Sequence, residues 1–215
     1  MHKFFTVTGA ILLSFNLHSQ ASNLEAKALL EESSAKMKSY QTISLDFSYT
    51  FENRKVEPPV VQTQAGTIAL KGDDYHLKLE GIEQIRAGKK LYNILNEDEE
   101  VQISTLEEDE EDAGISPSKI LSSFSTGYSY KLGGNEQIGG ETIQYVILKP
   151  ISTLNVDKIM IGIKKSSKQV YSLQQWGSNG TVTTLKVNSF EANPKLAADY
   201  FIFKRADYED YYISE

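Results

Sequence analysis

Between Ile43 and Leu79 the chain alternates apolar and polar side chains in three successive runs. The first reads Ile43-Ser44-Leu45-Asp46-Phe47-Ser48-Tyr49-Thr50-Phe51, with an apolar residue at every odd position. A period of two fits a strand with one buried and one wet face, because successive side chains point to opposite faces. Gly66-Thr67-Ile68-Ala69-Leu70 and Tyr75-His76-Leu77-Lys78-Leu79 repeat the pattern after turns. Three consecutive strands therefore push large apolar groups to one side of a sheet. That side must be covered by protein or shared with a ligand.

The remaining chain reads the same way. Strands are expected at Ile43–Asn53, Gln62–Leu70, Tyr75–Glu80, Glu83–Arg86, Lys90–Asn96, Glu99–Leu106, Tyr128–Leu132, Thr142–Leu148, Lys158–Lys164, Val170–Trp176 and Val182–Ser189. Short Gly/Asn/Asp turns between them indicate antiparallel meander connections, and Ser178-Asn179-Gly180-Thr181 is a hairpin signal. Ser22 or Asn23 is placed to cap a helix reaching about Ser39, with Ala26, Leu30, Ser33, Met37 and Tyr40 on one stripe. Ser116-Pro117 opens a second, short helix to Phe124, with Ile120 and Leu121 on one side. Pro194–Asp199 reads as one helical turn, followed by Phe201, Phe203 and an acidic, tyrosine-rich tail. The fold class is mainly β with α: one curled antiparallel sheet of about eleven strands, covered by short helices.

The first residues carry an address. A basic start, Met1-His2-Lys3, precedes a mostly apolar run from Phe4 to Leu17, and Ser19-Gln20-Ala21 offers small residues for cleavage after Ala21. Residues 1–21 are therefore expected to be a signal peptide, and 22–215 a single exported domain. The apolar run is shorter than the ~20 residues of a membrane span. The 215-residue chain has a net charge of −7, which becomes −8 once Lys3 is removed. That balance argues against nucleic acid and against an anionic lipid surface as partners. With no cysteine, disulfides and thiol chemistry are excluded.

Catalytic groups are scarce. No nucleophile elbow, phosphate loop or paired-histidine motif occurs. His76 is the one histidine after residue 21, and its phase turns it to the outer face of the sheet, where a surface role is expected. Glu107–Asp112 is a run of six carboxylates, expected as a solvated loop. It lacks the spaced ligands and internal glycine of a calcium loop. The lone Trp176 either plugs the sheet or touches a ligand or partner. No catalytic residue, metal or cofactor is assigned.

The order of parts resembles the periplasmic outer-membrane lipoprotein carrier family (LolA-like). The residues that carry the resemblance follow the leader and first helix. They are Phe47-Ser48-Tyr49, Gly66–Lys71, Tyr75-His76-Leu77, Ala87-Gly88-Lys89-Lys90-Leu91-Tyr92-Asn93-Ile94, Glu100-Val101-Gln102, the Ser116 helix start, the Asn179-Gly180 hairpin and Phe201-Ile202-Phe203. The resemblance implies a half-open barrel of eleven strands with helices as a lid, and a periplasmic, non-enzymatic chaperone, expected to be a monomer. Acyl chains of lipoproteins would lie in an apolar cavity. The implied partners are acylated lipoproteins, the inner-membrane lipoprotein-releasing complex, and the outer membrane or its receptor.

By phase, Phe47, Tyr49, Phe51, Ile68, Leu70, Tyr75, Leu77 and Leu79 are expected to line that cavity, with Leu30, Met37, Ile120 and Leu121 from the lid. The same residues could instead form a closed core. Two alternatives to the carrier remain: a general lipid- or hydrophobe-binding module on the same half-barrel, and a secreted carbohydrate-active enzyme. One departure stands out. Where the resembled family carries Lys-Arg-Pro, with an arginine that supports release, this chain has Lys71-Gly72-Asp73.

Overall fold

A computed structural model describes residues 14–106, 123–152 and 155–214, with side chains described from Asn23 onward. The chain order is α1 (Ser14–Lys38), β1 (Ile43–Asn53), β2 (Val60–Lys71), β3 (Asp74–Leu79), β4 (Ile82–Ala87), β5 (Lys90–Leu95), β6 (Glu100–Thr105), β7 (Tyr128–Ile138), β8 (Glu141–Pro150), β9 (Val156–Lys164), β10 (Val170–Gly177), β11 (Thr181–Ala192) and β12 (Tyr212–Ser214). All twelve strands form one sheet in the order β12-β6-β5-β4-β3-β2-β1-β11-β10-β9-β8-β7, with β7 and β12 as its unjoined edges. The expected half-open, helix-covered antiparallel sheet is the architecture observed.

Every hairpin pairs its neighbours antiparallel, and β1 closes the two halves by pairing with both β2 and β11. The register brings the alternating faces together. Phe47 stands opposite Gly66, and Gly66 opposite Leu79, all on the concave side. A Cβ on Gly66 would lie 2.5 Å from Phe47 Cζ. Glycine at this point lets the Phe47 ring lie flat across β2.

The core sits between this face and α1. Ala26, Leu29, Leu30 and Met37 from the helix meet Ile43, Leu45 and Phe47 of β1, Val146 and Leu148 of β8, and Ile159, Ile161 and Ile163 of β9. The helix stripe is thus as expected. The helix itself begins earlier, at Ser14, so neither Ser22 nor Asn23 caps it. Its main strand partner is β7.

Other differences have local causes. Gly133-Gly134 does not end β7. The strand continues to Ile138 through an irregularity after Leu132. There the buried Gln144 amide donates to the carbonyls of Gly133 (2.8 Å) and Gly134 (3.1 Å). Paired carbonyls remove the cost of the break in the ladder. Residues 194–199 form no helical turn; a 3₁₀ turn appears instead at Arg205–Tyr208. The predicted helix over Pro117–Phe124 lies almost wholly outside the described residues, as does the acidic run Glu107–Asp112.

The tail is the largest departure. It forms the twelfth strand, parallel to β6, with Ile213 beside Val101. It also covers the convex side of β3–β6, where Ile85, Ile94 and Val101 form a second buried cluster under Phe203, Tyr208, Tyr211 and Ile213. Phe203 stacks on Tyr92 at 4.5 Å and on Tyr208 at 5.3 Å. His76 is on the convex side as expected, but this cover leaves it part-buried rather than at the surface: its side chain is 10% exposed.

Candidate functional site

The concave face changes character across the sheet. Beneath α1 it is close-packed and apolar: Ile161 and Ile163 are fully buried. Toward the middle, Tyr49, Leu79, Leu91, Leu173, Leu185 and Val187 are half-buried, packing on the core with one side and leaving the other accessible. Toward β5 the face turns polar, where Tyr75 donates to Gln84 and the Gln84 amide donates to Asn93. The result is an apolar band bounded by a hydrogen-bonded row.

Beside the helix an open groove of about 370 Å³ adds a second apolar surface. Leu30, Ser34 and Ala35 form its helix wall, with Lys27, Glu31 and Lys38 at the rim; Phe124, Ser125 and Tyr130 face them. These helix positions recur at steps of three and four, which is one stripe of an α-helix. The opposite wall is held by the Tyr130 hydroxyl, which donates to the Phe124 carbonyl at 2.8 Å, and by edge-on packing of Phe124 on Tyr128. Burial, then the Glu31 charge, pushes the Tyr130 phenol above its ordinary range, so it stays a neutral donor. The volume lies in the range of small-ligand sites. A short-chained apolar floor with both charge signs at the rim suits an amphiphile, tail inward and polar group outward.

The residues expected to line a cavity divide into four groups. Leu30, Met37, Phe47, Ile68, Leu70, Tyr75 and Leu77 are brought together in the core cluster, each at most 5% exposed. Tyr49 and Leu79 lie at its half-buried margin. Phe51 is half-buried further along β1. Ile120 and Leu121 lie outside the described residues. Of these residues, Leu30 also lines the groove. The sequence reading missed Leu173, Leu185, Val187 and Tyr130. Their alternation was visible, but only the pairing of β11 with β1 and the ladder from β11 through β10, β9 and β8 to β7 show that they share a face with Tyr49. Ser33, on the expected helix stripe, is fully buried, and its hydroxyl has no partner.

Among the described residues, three shifted carboxylates each have a hydrogen-bond partner. Glu52 and Asp199 are held below the ordinary carboxylate range by hydrogen bonds from Arg54 and Lys204. Burial raises Glu83, but its hydrogen bond from His76 and the nearby Lys78 and His76 charges more than offset this, and the net shift is downward. Among the described residues no group of three or more His, Cys, Asp or Glu side chains could hold a metal ion.

No protein-family model matches the chain, and no curated protein matches it significantly. Solved structures do. An uncharacterized conserved protein from Thermus thermophilus overlaps at TM-score 0.56, with 12% identity, over 88% of this chain and 98% of that one. LprF from Mycobacterium bovis overlaps at TM-score 0.50, with 12% identity, over 81% of this chain and 96% of that one. A LolA superfamily protein from Nitrosomonas europaea overlaps more loosely, at TM-score 0.40 with 13% identity over 83% and 97% of the two chains. At such identities the likeness is one of fold. The chain shares with the Thermus thermophilus protein and LprF the fold described above, a half-open antiparallel sheet with a helix laid across its concave side.

Proposed function

We propose that this protein is a periplasmic, non-catalytic carrier that shields the acyl chains of lipoproteins and ferries them between membranes, residues 1–21 having served as its export signal. The observation that carries the reading is the half-buried apolar band, Tyr49, Leu79, Leu91, Leu173, Leu185 and Val187, lying beside a helix-walled groove of about 370 Å³. At ~0.8 kcal/mol per CH₂, a sixteen-carbon chain costs on the order of 10 kcal/mol to hold in water. A carrier must match most of that with apolar surface and still let go. Half-buried side chains satisfy both demands. Its partners would be acylated lipoproteins, an inner-membrane releasing complex, and an outer-membrane acceptor.

A second reading, a lipid-binding module without lipoprotein specificity, is favoured by one observation. Gly72 sits at the β2–β3 turn with φ +62 and nothing within 4 Å of where a Cβ would be. The turn needs a left-handed residue, which disfavours arginine there, so the release bond that the family resemblance implies has no donor at this point. Purifying the protein from its native periplasm and identifying bound molecules by mass spectrometry separates the two. Acylated peptides support the carrier; free fatty acid or glycolipid supports the module. A protein that emerges free of any lipid, and takes up none when offered palmitate, contradicts both.

A further inference from the structure

The negative net charge conceals a lopsided distribution. On the convex side of β7–β11, away from the groove and from the C-terminal cover, the outward residues include several lysines and aromatic rings among neutral polar side chains. Trp176 pairs with Lys158 on one side and Val182 on the other. The Lys158 ammonium lies 3.8 Å from the centre of the Trp176 ring. Lys149 follows Leu148, which pairs with Ile159, so its register places it beside Lys158. Lys131 pairs with Ile147 at the β7 edge, and Ile147 with Met160. Lys186 stands opposite Ser172, its ammonium 5.6 Å from the Tyr171 ring. Lys131, Lys149 and Lys186 are exposed, while Ile147, Met160, Tyr171 and Trp176 are half-buried. Of the acids on this side, Glu52 pairs with Arg54, Glu136 and Glu141 keep their charge while accepting from Tyr145 and Ser166, and the exposed Asp46 and Glu191 lie toward the far end of β1 and β11 from Trp176.

We propose that this convex face docks the protein on a bilayer surface containing anionic phospholipid. The net charge argues against such a partner, but attraction is decided within about a Debye length, roughly 8 Å, and on this face the nearby charge is positive. Five adjacent strands span about 19 Å, a broad face rather than a groove. Lysines that reach headgroup phosphates, interleaved with Trp and Tyr rings of the kind that settle at the membrane–water boundary, match a lipid surface better than an acidic peptide. Docking by this side would leave the concave face and the groove unobstructed.

The chain contains a single tryptophan, so its emission reports on this face directly. The full chain is mixed with vesicles of phosphatidylcholine alone, or of phosphatidylcholine with phosphatidylglycerol, each with and without a brominated lipid that quenches at the interface. The expected result is a blue shift and quenching of Trp176 on the phosphatidylglycerol vesicles only, abolished by high salt. Each lysine near an anionic surface contributes about a five-fold gain in partitioning, so K149Q/K158Q/K186Q is expected to bind about 100-fold more weakly. K36Q/K71Q/K195Q, which removes equal charge elsewhere, is expected to bind as the parent does, both variants being checked by circular dichroism. Equal binding to neutral vesicles, an unquenched Trp176, or a triple variant that still binds would overturn the proposal. So would an acidic peptide that shifts Trp176 where the vesicles fail. Insertion through the apolar run Phe4–Leu17 would ignore salt and the lysine substitutions alike. Acyl cargo is measured separately, so the carrier reading and this one fail independently.

Discussion

Replacing Gly66 by alanine tests how tightly the concave face is filled where Phe47 crosses it. The new Cβ would sit 2.5 Å from Phe47 Cζ and 2.8 Å from both Phe47 Cε2 and Leu79 Cδ2. Carbon atoms prefer 3.5–4.0 Å, so the ring must withdraw by about 1 Å. Phe47 is 4% exposed, with core neighbours around it, and has little room to do so. Overpacking of this kind costs about 1–3 kcal/mol. The stiffer unfolded chain of alanine offsets about 0.5–1 kcal/mol, leaving a net loss of about 0.5–2 kcal/mol. For a domain this size that lowers Tm by about 1–8 °C in a circular-dichroism melt. Shrinking the ring should recover most of it: F47L in the G66A background is expected to show a coupling of about 0.5 kcal/mol or more. A neutral G66A with no coupling would mean that Phe47 swings freely, and that the face under α1 is hollow rather than packed.

Four further substitutions have expected outcomes. Glu83 is held below its ordinary value of 4.5, so its contribution is present above that pH and lost as pH falls through its folded value. E83Q should therefore cost about 1–3 kcal/mol at pH 7 and flatten the acid limb of the stability profile; a variant whose stability still falls as steeply as the parent's would refute this. The Ser33 hydroxyl is buried without a partner, and S33A should stabilise by about 1 kcal/mol in urea titration. A loss of stability there would show that a water or ligand satisfies it. Leu77 is 5% exposed, so L77E should fail to fold. L185E, on the accessible band, should fold and bind fluorescent fatty acid about ten-fold more weakly, and unchanged binding by folded L185E would remove the band from the site.

What the sequence revealed was whatever depends on near neighbours. Ile43–Phe51 alternates without interruption, and its strand bounds follow. The stripe Ala26, Leu30, Ser33, Met37 needs only helical geometry to be read. Long-range pairing was harder. A three-residue parallel strand at Tyr212–Ser214 has too few side chains to show a period. The cover it belongs to nonetheless left a trace: Ile85, Ile94 and Val101 are apolar on the side where β4–β6 should be polar, a demand for a second layer that the aromatic tail meets. The site was partly legible for a related reason. Phase places Tyr49 and Leu77 on one face, but only the packed structure decides that Leu77 is core and Tyr49 is margin. Charge averaged over the chain likewise hid Lys131, Lys149, Lys158 and Lys186 on one side of the sheet.

Photo-crosslinking with a palmitoylated peptide bearing a diazirine at the acyl terminus tests the central claim most directly. Labelling at Tyr49, Leu173 or Leu185, or at Ser34, Ala35 or Tyr130 in the groove, competed by palmitate, is the predicted result. Labelling confined to the convex face, or none that palmitate displaces, would contradict an acyl-binding concave side.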